Sequence, residues 1–342
     1  MKKDTIFSNM DIRSNNLNVL KFIAAILVIY SHAFIITGKS GEPLGCISSG
    51  EISLSSLAVA LFFFASGFFV TKSLMKDGTG KKYWLKRIVR IYPAFIVIIL
   101  LTAFVLGPVV TEYSLASYFQ SKSLYSYLLY LCMIPKYELP GVFTHNPVSI
   151  VNGSLWTLIL EIICYLGLYV TFSIGILNKK VLKKVNIILG VIVFVVFGLK
   201  LESIYQFHEY LRPMFVFIIG MEYYIFCEDI KLSYKGFILV SIISILLLIL
   251  KRGDLFTVLC FPYLISNCIF SKKQISSVIA KCGDLSYSVY LAAFPIQQTL
   301  VQYFPDMGVV RNTIFASILA IVVAYLMLKY VEQYSIKCIL KK

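Results

Sequence analysis

Charged residues are scarce in this sequence, and acidic ones are the scarcest. Only 14% of the 342 residues are charged, and 17 Asp and Glu stand against 32 Lys and Arg. Because a soluble domain carries about 25% charged residues, an ordinary water-soluble fold is excluded. Paired cysteine motifs are also missing, since the eight cysteines lie mostly in apolar runs and none forms a Cys-x-x-Cys pair. We therefore expect buried thiols and no metal site.

Apolar surface is what the sequence has in excess. Hydrophobic residues make up 59% of the chain, and the mean hydropathy is +0.83. A spanning helix needs about 20 mostly apolar residues, which predicts an all-α fold, a polytopic transmembrane helical bundle of about ten spans. We place these spans at 17–37, 53–73, 89–111, 154–176, 185–200, 212–228, 235–250, 254–271, 285–304 and 312–333.

The basic residues fall in the gaps between apolar runs, so the net charge of +15 indicates membrane orientation rather than nucleic-acid binding. Most of them lie in segments that an N-terminus inside the cell would place in the cytoplasm. This excess predicts an even number of crossings with both termini cytoplasmic. The Lys251-Arg252 pair is the local exception.

The chain is expected to be a single integral membrane domain over residues 1–342, with no cleavable signal peptide and no appended soluble domain. Its longest outer segment is about 112–153, and a loop of this length is usually functional or capping. Within it Leu124–Ile134 is apolar but only half a span long. A re-entrant or an interfacial helix suits that length better than a full crossing.

The first span holds two ionisable residues, Lys21 and His32. Eleven residues of helix amount to three turns plus about 20°, so both side chains share a face, about 16 Å apart along the axis. His32 is a candidate general base because imidazole titrates near neutrality. The alternatives are a histidine bonded to a loop or water at the helix end, and a Lys21 that snorkels to the inner headgroups.

Glu161 is the next ionisable residue inside a span. It is about two turns, roughly 10 Å, below the predicted outer surface, a depth similar to that of His32. A carboxylate at this depth can orient an imidazole and stabilise its charged form. The alternative is a Glu161 that bonds to Trp156 or Thr157 at the interface.

Arg87 and Arg90 precede the third span on the predicted cytoplasmic side. Their i, i+3 spacing places both on one helix face, which suits bidentate phosphate binding. Ordinary cytoplasmic charge or contact with lipid headgroups is the alternative. Three residues are possible supporting ones, namely Ser66 beside Gly67, Trp156, and Tyr287 in a run of hydroxyl side chains.

Together these segments resemble the acyltransferase 3 family of membrane-bound enzymes, and the likeness covers the whole chain. The family pattern of a basic residue, ten residues and His is similar to Lys21–His32. Its next three elements resemble Phe62–Phe68, the Arg-x-x-Arg-Ile-x-Pro run Arg87–Pro93, and Leu155–Tyr165. The last, Ser-Tyr-x-x-Tyr-Leu, resembles Ser286–Leu291.

This resemblance implies acyl-CoA as donor, acetyl-CoA by family frequency, and no permanently bound cofactor. It implies catalytic roles for His32 and Glu161, and acyl-CoA binding by Lys21, Arg87 and Arg90. The implied acceptor is a cell-envelope polysaccharide, such as an O-antigen or capsule, or a lipid-linked glycan. The enzyme is expected in the bacterial inner membrane, in contact with lipid and with no nucleic acid.

The sequence departs from the family pattern at three positions. Lys21 replaces the commoner Arg, Asn18 stands where many members have Asp, and Ala293 stands where many have His. Family members with a fused esterase-like domain also exist, and this chain resembles the stand-alone form. The rival function is a transporter or flippase for a lipid-linked glycan, which intramembrane charges would also suit.

Overall fold

The computed structural model describes residues 5–9, 16–78, 80–271, 273, 275 and 283–340. The regular elements of these residues are helices, with no β-strand among them. The predicted all-α fold is therefore confirmed. The ends of the chain lie outside the described residues, and their cytoplasmic location stays a prediction.

Each of the ten predicted spans coincides with a helix in the described residues. We number these helices in chain order: α1 Leu17–Ile36, α2 Leu54–Asp77, α3 Lys81–Val110, α4 Trp156–Ser173, α5 Lys179–Gly198, α6 His208–Ile225, α7 Tyr234–Ile249, α8 Gly253–Ile269, α9 Ser286–Tyr303 and α10 Val309–Ile339.

Six of the described helices, α1 to α5 and α10, are long and apolar enough to cross a membrane, whereas α7 and α8 are shorter apolar helices. These helices indicate a multi-pass membrane protein. The number of crossings stays a prediction, because α6 and α9 are 18 residues long but are not among the six.

Local side-chain caps explain where several helices begin. Ser53 and Ser56 form a capping box at the start of α2, in which each side chain bonds to the backbone N–H of the other. Asn178 accepts from the backbone of Val181 at the start of α5, and Ser233 caps α7 in the same way. Such caps satisfy N–H groups that have no partner within the helix.

The chain divides into two compact units, each assembled from separate stretches. The first unit draws on Met1–Ala24, Pro43–Thr79 and Leu160–Gly283. Within it α2 packs directly against α6, where a Cβ on Gly67 would lie 2.1 Å from the Phe217 carbonyl oxygen and one on Gly220 would lie 2.3 Å from that of Phe64. Both positions need glycine because the two backbones touch, as small residues allow in membrane helices.

A buried ion pair joins two helix ends of the first unit. Arg212 of α6 donates to Asp254 of α8 over 2.6 Å, and these side chains are 4% and 1% exposed. Tyr205 also donates to Asp254, over 2.9 Å, and burial raises the pKa of the Tyr205 hydroxyl. Glu51 pairs with Lys200 and accepts from the backbone of Gly253. Each of these charges has an opposite partner, as buried charges require.

The second unit draws on Ala25–Glu42, Gly80–Ile159 and Asp284–Lys342. Its core contains residues of α3, the predicted outer segment and α9, including Phe95, Tyr127, Phe143 and Leu291. Tyr118 of this segment donates to the Ala103 carbonyl over 2.7 Å, and burial raises its pKa to about 12. The long segment between α3 and α4 is thus packed in the core of the second unit.

The ambiguous stretch Leu124–Ile134 forms two short helical elements. An α-helix, Lys122–Tyr127, is followed by a 3-10 helix, Leu128–Cys132, and Met133 ends the run with a φ of +59°. Five or six residues of helix rise less than about 10 Å, which is far short of a crossing. Whether the stretch re-enters the membrane or lies at its surface stays a prediction.

Candidate active site

His32 lies near the end of α1, which runs without a break from Leu17 to Ile36. The imidazole is half-buried, and its ring makes an edge-type contact with Phe294 of α9, with centroids 5.2 Å apart and planes at 72°. Within the described residues of the second unit, no hydrogen bond engages the two ring nitrogens. The arrangement can therefore present a ring nitrogen to a substrate.

A buried amide pair fixes α1 against α9 one turn before His32. Gln297 donates to the Ile29 carbonyl and to Asn312 Oδ1, each over 2.8 Å. Asn312 of α10 donates back to the Gln297 carbonyl over 3.2 Å. Gln297 and Asn312 are fully buried. Their bonds hold three helices in one register around the histidine, a role that the sequence analysis did not anticipate.

Lys21 lies on the same helix, as predicted, in the half of α1 that belongs to the first unit. Its side chain is half-buried. The unbroken helix provides the common face and the spacing from His32 that the sequence predicts. Its role in acyl-CoA binding stays a prediction.

Glu161 of α4 is held by two hydroxyl groups of the first unit. Ser66 of α2 donates to Glu161 Oε1 over 3.1 Å, and the Tyr165 hydroxyl donates to the same oxygen. The two hydroxyl oxygens lie 2.9 Å apart, which closes a triangle. Ser66 thus contacts Glu161 directly, and its supporting role in the reaction stays a prediction. Tyr165 had been noted only as part of a motif, although its i+4 spacing from Glu161 could have indicated the contact.

The predicted pairing of Glu161 with His32 stays a prediction, because the two residues belong to different units. Within the first unit Ser66 and Tyr165 hold the Glu161 carboxylate, and the alternative in which Glu161 bonds to Trp156 or Thr157 stays open. Trp156 begins α4 and is half-buried. Its supporting role is untested.

Thr157 belongs instead to a buried hydroxyl network of the second unit. The Tyr290 hydroxyl lies 2.8 Å from Thr157 Oγ1 and donates to the Ser154 carbonyl over 2.6 Å. Asn152 donates to the Leu291 carbonyl over 2.9 Å and accepts from the Ser154 backbone. These bonds fasten the chain before α4 to α9. Tyr290 therefore ties α9 to the chain before α4.

Arg90 of α3 is bound by two carboxylates of the second unit. One terminal nitrogen donates to Asp284 over 2.6 Å, and the other donates to Glu332 over 3.2 Å. Glu332 is 2% exposed and also accepts from Ser288 over 2.6 Å. The guanidinium lies 5.5 Å from the Tyr287 ring centroid. These two bonds use two of the five N–H donors of the guanidinium, and the predicted binding of a phosphate by Arg90 stays a prediction.

Arg87 lies one turn before Arg90 on α3, so the predicted i, i+3 relationship holds. Its guanidinium is 5.9 Å from the ring centroid of Tyr83. Tyr287 donates its hydroxyl to the Ile91 carbonyl over 2.9 Å, so this predicted supporting residue ties α9 to α3. The sequence does not reveal Asp284 and Glu332 as partners of Arg90, because they are 194 and 242 residues away from it in the chain.

Comparison with known proteins assigns the family. Residues 14–329 match the acyltransferase 3 family, described as an acyltransferase domain. An O-acetyl transferase of Shigella phage Sf6 is 25% identical over 335 residues, covering 94% of this chain and 96% of that protein. Nodulation protein 10 of Rhizobium leguminosarum bv. viciae is 30% identical over 168 residues, which cover 45% of this chain and 43% of that protein. No solved structure gives a significant match. The chain therefore belongs to the acyltransferase 3 family and is an O-acyltransferase.

Proposed function

We propose that this enzyme transfers an acyl group, most simply acetyl, from cytoplasmic acyl-CoA to a hydroxyl of a cell-envelope glycan on the far side of a bacterial inner membrane. The observation that carries the proposal is the half-buried His32, which lies on the same helix as Lys21 and whose ring contacts Phe294 of α9. An imidazole inside an apolar helix is a functional group by default. The O-acetyl transferase of the phage supports both the acetyl group and the hydroxyl acceptor.

His32 acts as the general base. It takes the proton of the acceptor hydroxyl while the hydroxyl oxygen attacks the thioester carbonyl carbon. A carbon–oxygen bond forms and the carbon–sulfur bond breaks, so CoA leaves as a thiolate that the histidine proton neutralises. Glu161 stabilises the imidazolium formed on the way, and Ser66 and Tyr165 hold its carboxylate in place.

The donor approaches from the cytoplasmic side. The phosphates of CoA cannot enter lipid cheaply, whereas its pantetheine arm is long and thin. Arg87 binds a phosphate, and Lys21 contacts the arm on its way along α1 to His32. Arg90 was expected to share the phosphate, but its guanidinium is held by Asp284 and Glu332. We therefore give Arg90 an indirect part, which is to fix the α3 face that carries Arg87.

Glycan acylation can be tested in a bacterial strain that lacks the enzyme. Mass spectrometry of surface glycan, with and without the expressed protein, should show an increase of one acyl group per acceptor unit. Purified protein in lipid nanodiscs should then release free CoA thiol from acetyl-CoA only when the glycan is added. An unmodified glycan together with lipid-linked glycan movement would support the flippase function instead.

A further inference from the structure

Phe294 contacts both His32 and the backbone of Gly153 in the second unit. The phenyl ring is 6% exposed and packs with Ile36 and Val301. Its centroid lies 5.2 Å from that of the imidazole. A Cβ on Gly153 would lie 2.8 Å and 2.9 Å from Cε2 and Cζ of the same phenyl ring. No side chain fits at position 153 while the phenyl ring keeps its place.

Gly153 is required for space rather than for backbone conformation. Its φ is not among the positive values that glycine alone adopts easily. Any residue could therefore adopt this backbone, and what a larger residue would meet is the tip of the Phe294 ring. A distance under 3.0 Å between carbon atoms is well inside van der Waals contact, so the ring would have to move.

The backbone at Gly153 is held by a hydrogen bond at each neighbouring residue. Asn152, on one side, donates to the Leu291 carbonyl over 2.9 Å. Ser154, on the other side, accepts from the Tyr290 hydroxyl over 2.6 Å. Both partners lie on α9, within four residues of Phe294. The loop and the phenyl ring are therefore fixed to the same helix, and an added methyl group at position 153 acts on the ring.

We propose that Gly153 and Phe294 are positioning residues that set the plane of the His32 imidazole. The proposal rests on the proposed function of His32 as general base. A histidine used in catalysis commonly has its ring oriented by a hydrogen bond at the second nitrogen. Within the described residues of the second unit, the contact that orients this ring is the phenyl face or edge of Phe294. Phe294 thus acts on the orientation of the ring.

Displacing the phenyl ring should lower the rate of proton transfer and leave donor binding intact. A misplacement of about 1 Å can reduce a rate about 100-fold. We expect Gly153→Ala to lower kcat about tenfold or more with an unchanged KM for acetyl-CoA. Gly167→Ala on α4 is the matched control, because a Cβ there meets nothing within 4 Å. It should keep the wild-type kcat.

A double-mutant cycle tests whether the effect passes through Phe294. Leucine lacks the Cε2 and Cζ atoms that an alanine at position 153 would strike, so Phe294→Leu should lower kcat by itself and make Gly153→Ala harmless. The double variant should then match Phe294→Leu. Additive losses would overturn the proposal. If Gly153→Ala does not accumulate in the membrane, the kcat of Phe294→Leu alone tests the proposal. A wild-type kcat in Phe294→Leu would then overturn it.

A second readout does not depend on acyl transfer. Diethyl pyrocarbonate modifies imidazole nitrogens, and peptide mass spectrometry measures the modification of His32 separately from His145 and His208. The modification rate of His32 should change in Gly153→Ala and stay at the wild-type value in Gly167→Ala. An unchanged rate in Gly153→Ala would overturn the positioning role. A wild-type enzyme that transfers no acyl group would instead overturn the proposed function, while this readout still reports on the contact.

Discussion

Arg90 donates to Asp284 over 2.6 Å, although 194 residues separate the two in the chain. The same guanidinium reaches Glu332, which is 2% exposed. Arg90→Ala would leave this buried carboxylate without its cation, and such losses destabilise a protein by about 3 kcal/mol. We expect the melting temperature in nanodiscs to fall. Glu332→Gln added to Arg90→Ala should recover part of the loss, and a double variant no more stable than Arg90→Ala would contradict the pairing.

Arg87 should behave differently from Arg90. If its guanidinium binds a CoA phosphate, Arg87→Ala removes at least one charge-assisted hydrogen bond and should weaken acetyl-CoA binding about tenfold. Isothermal titration calorimetry with CoA measures the affinity. Arg311→Ala is the control, because this exposed arginine at the start of α10 is predicted to lie outside. Equal affinities for the two variants would remove Arg87 from the donor site.

His32→Ala should abolish acyl transfer while the protein stays folded in the membrane, because no other group described near α1 replaces the base. The expected loss is about 100-fold or more. His145→Ala is the control, since His145 is 86% exposed and its ring nitrogen lies 3.1 Å from Glu112. Transfer to the glycan, measured by mass spectrometry, should persist in His145→Ala. Wild-type acylation in His32→Ala would refute the base assignment.

Tyr165→Phe isolates the hydrogen bond to Glu161. The hydroxyl is lost while the ring that packs 6.1 Å from the Phe217 ring is retained. We expect kcat to fall about tenfold with little change in KM, since one hydrogen bond to a charged group contributes about 1.5–3 kcal/mol.

Two double variants locate the Tyr165 effect. Glu161→Gln with Tyr165→Phe should be no slower than Glu161→Gln alone, because both changes act on one carboxylate. Glu161→Gln with His32→Ala should likewise be no worse than either single variant. Additive losses in the second pair would separate Glu161 from the histidine, whatever the first pair shows.

The ion pair of Arg212 and Asp254 should matter for stability and not for chemistry. Asp254→Asn leaves a buried guanidinium without its counter-charge, which we expect to lower the free energy of unfolding by about 3 kcal/mol. Arg212→Met with Asp254→Leu should restore much of the lost free energy of unfolding, because an apolar pair of similar size removes both charges. Unfolding in nanodiscs gives the stability and acetyl-CoA turnover gives the activity. A lower kcat at full stability would contradict the purely structural role.

The helices were predictable because their signal is local. Each apolar run near 20 residues long became a helix, and the i, i+3 and i, i+11 relationships within α3 and α1 follow from helix geometry alone. The partners of Arg90 were not predictable in this way. Glu332 is the last residue of a π-helical turn, Leu328–Glu332. Such a turn changes the rotation per residue, so the helix face of Glu332 cannot be predicted from regular α-helix spacing.

The contact between Gly153 and Phe294 could also not be predicted from the sequence. Glycine before a helix normally indicates a turn, and only the distance to Phe294 shows that the missing side chain is what matters. Ser66 was assigned to close helix packing because of Gly67, and Gly67 does contact α6. That Ser66 also donates to Glu161 depends on the fold, since 95 residues separate them.

The interleaving of the units has a consequence for biosynthesis. Ile29 accepts its hydrogen bond from Gln297, which the ribosome adds 268 residues later. Phe294 also reaches the translocon long after His32 has been inserted. During most of synthesis the nascent chain therefore carries its base on a helix that lacks these neighbours. Catalytic competence should arise in one late step, when α9 inserts, so that no shorter nascent intermediate can acylate a substrate prematurely.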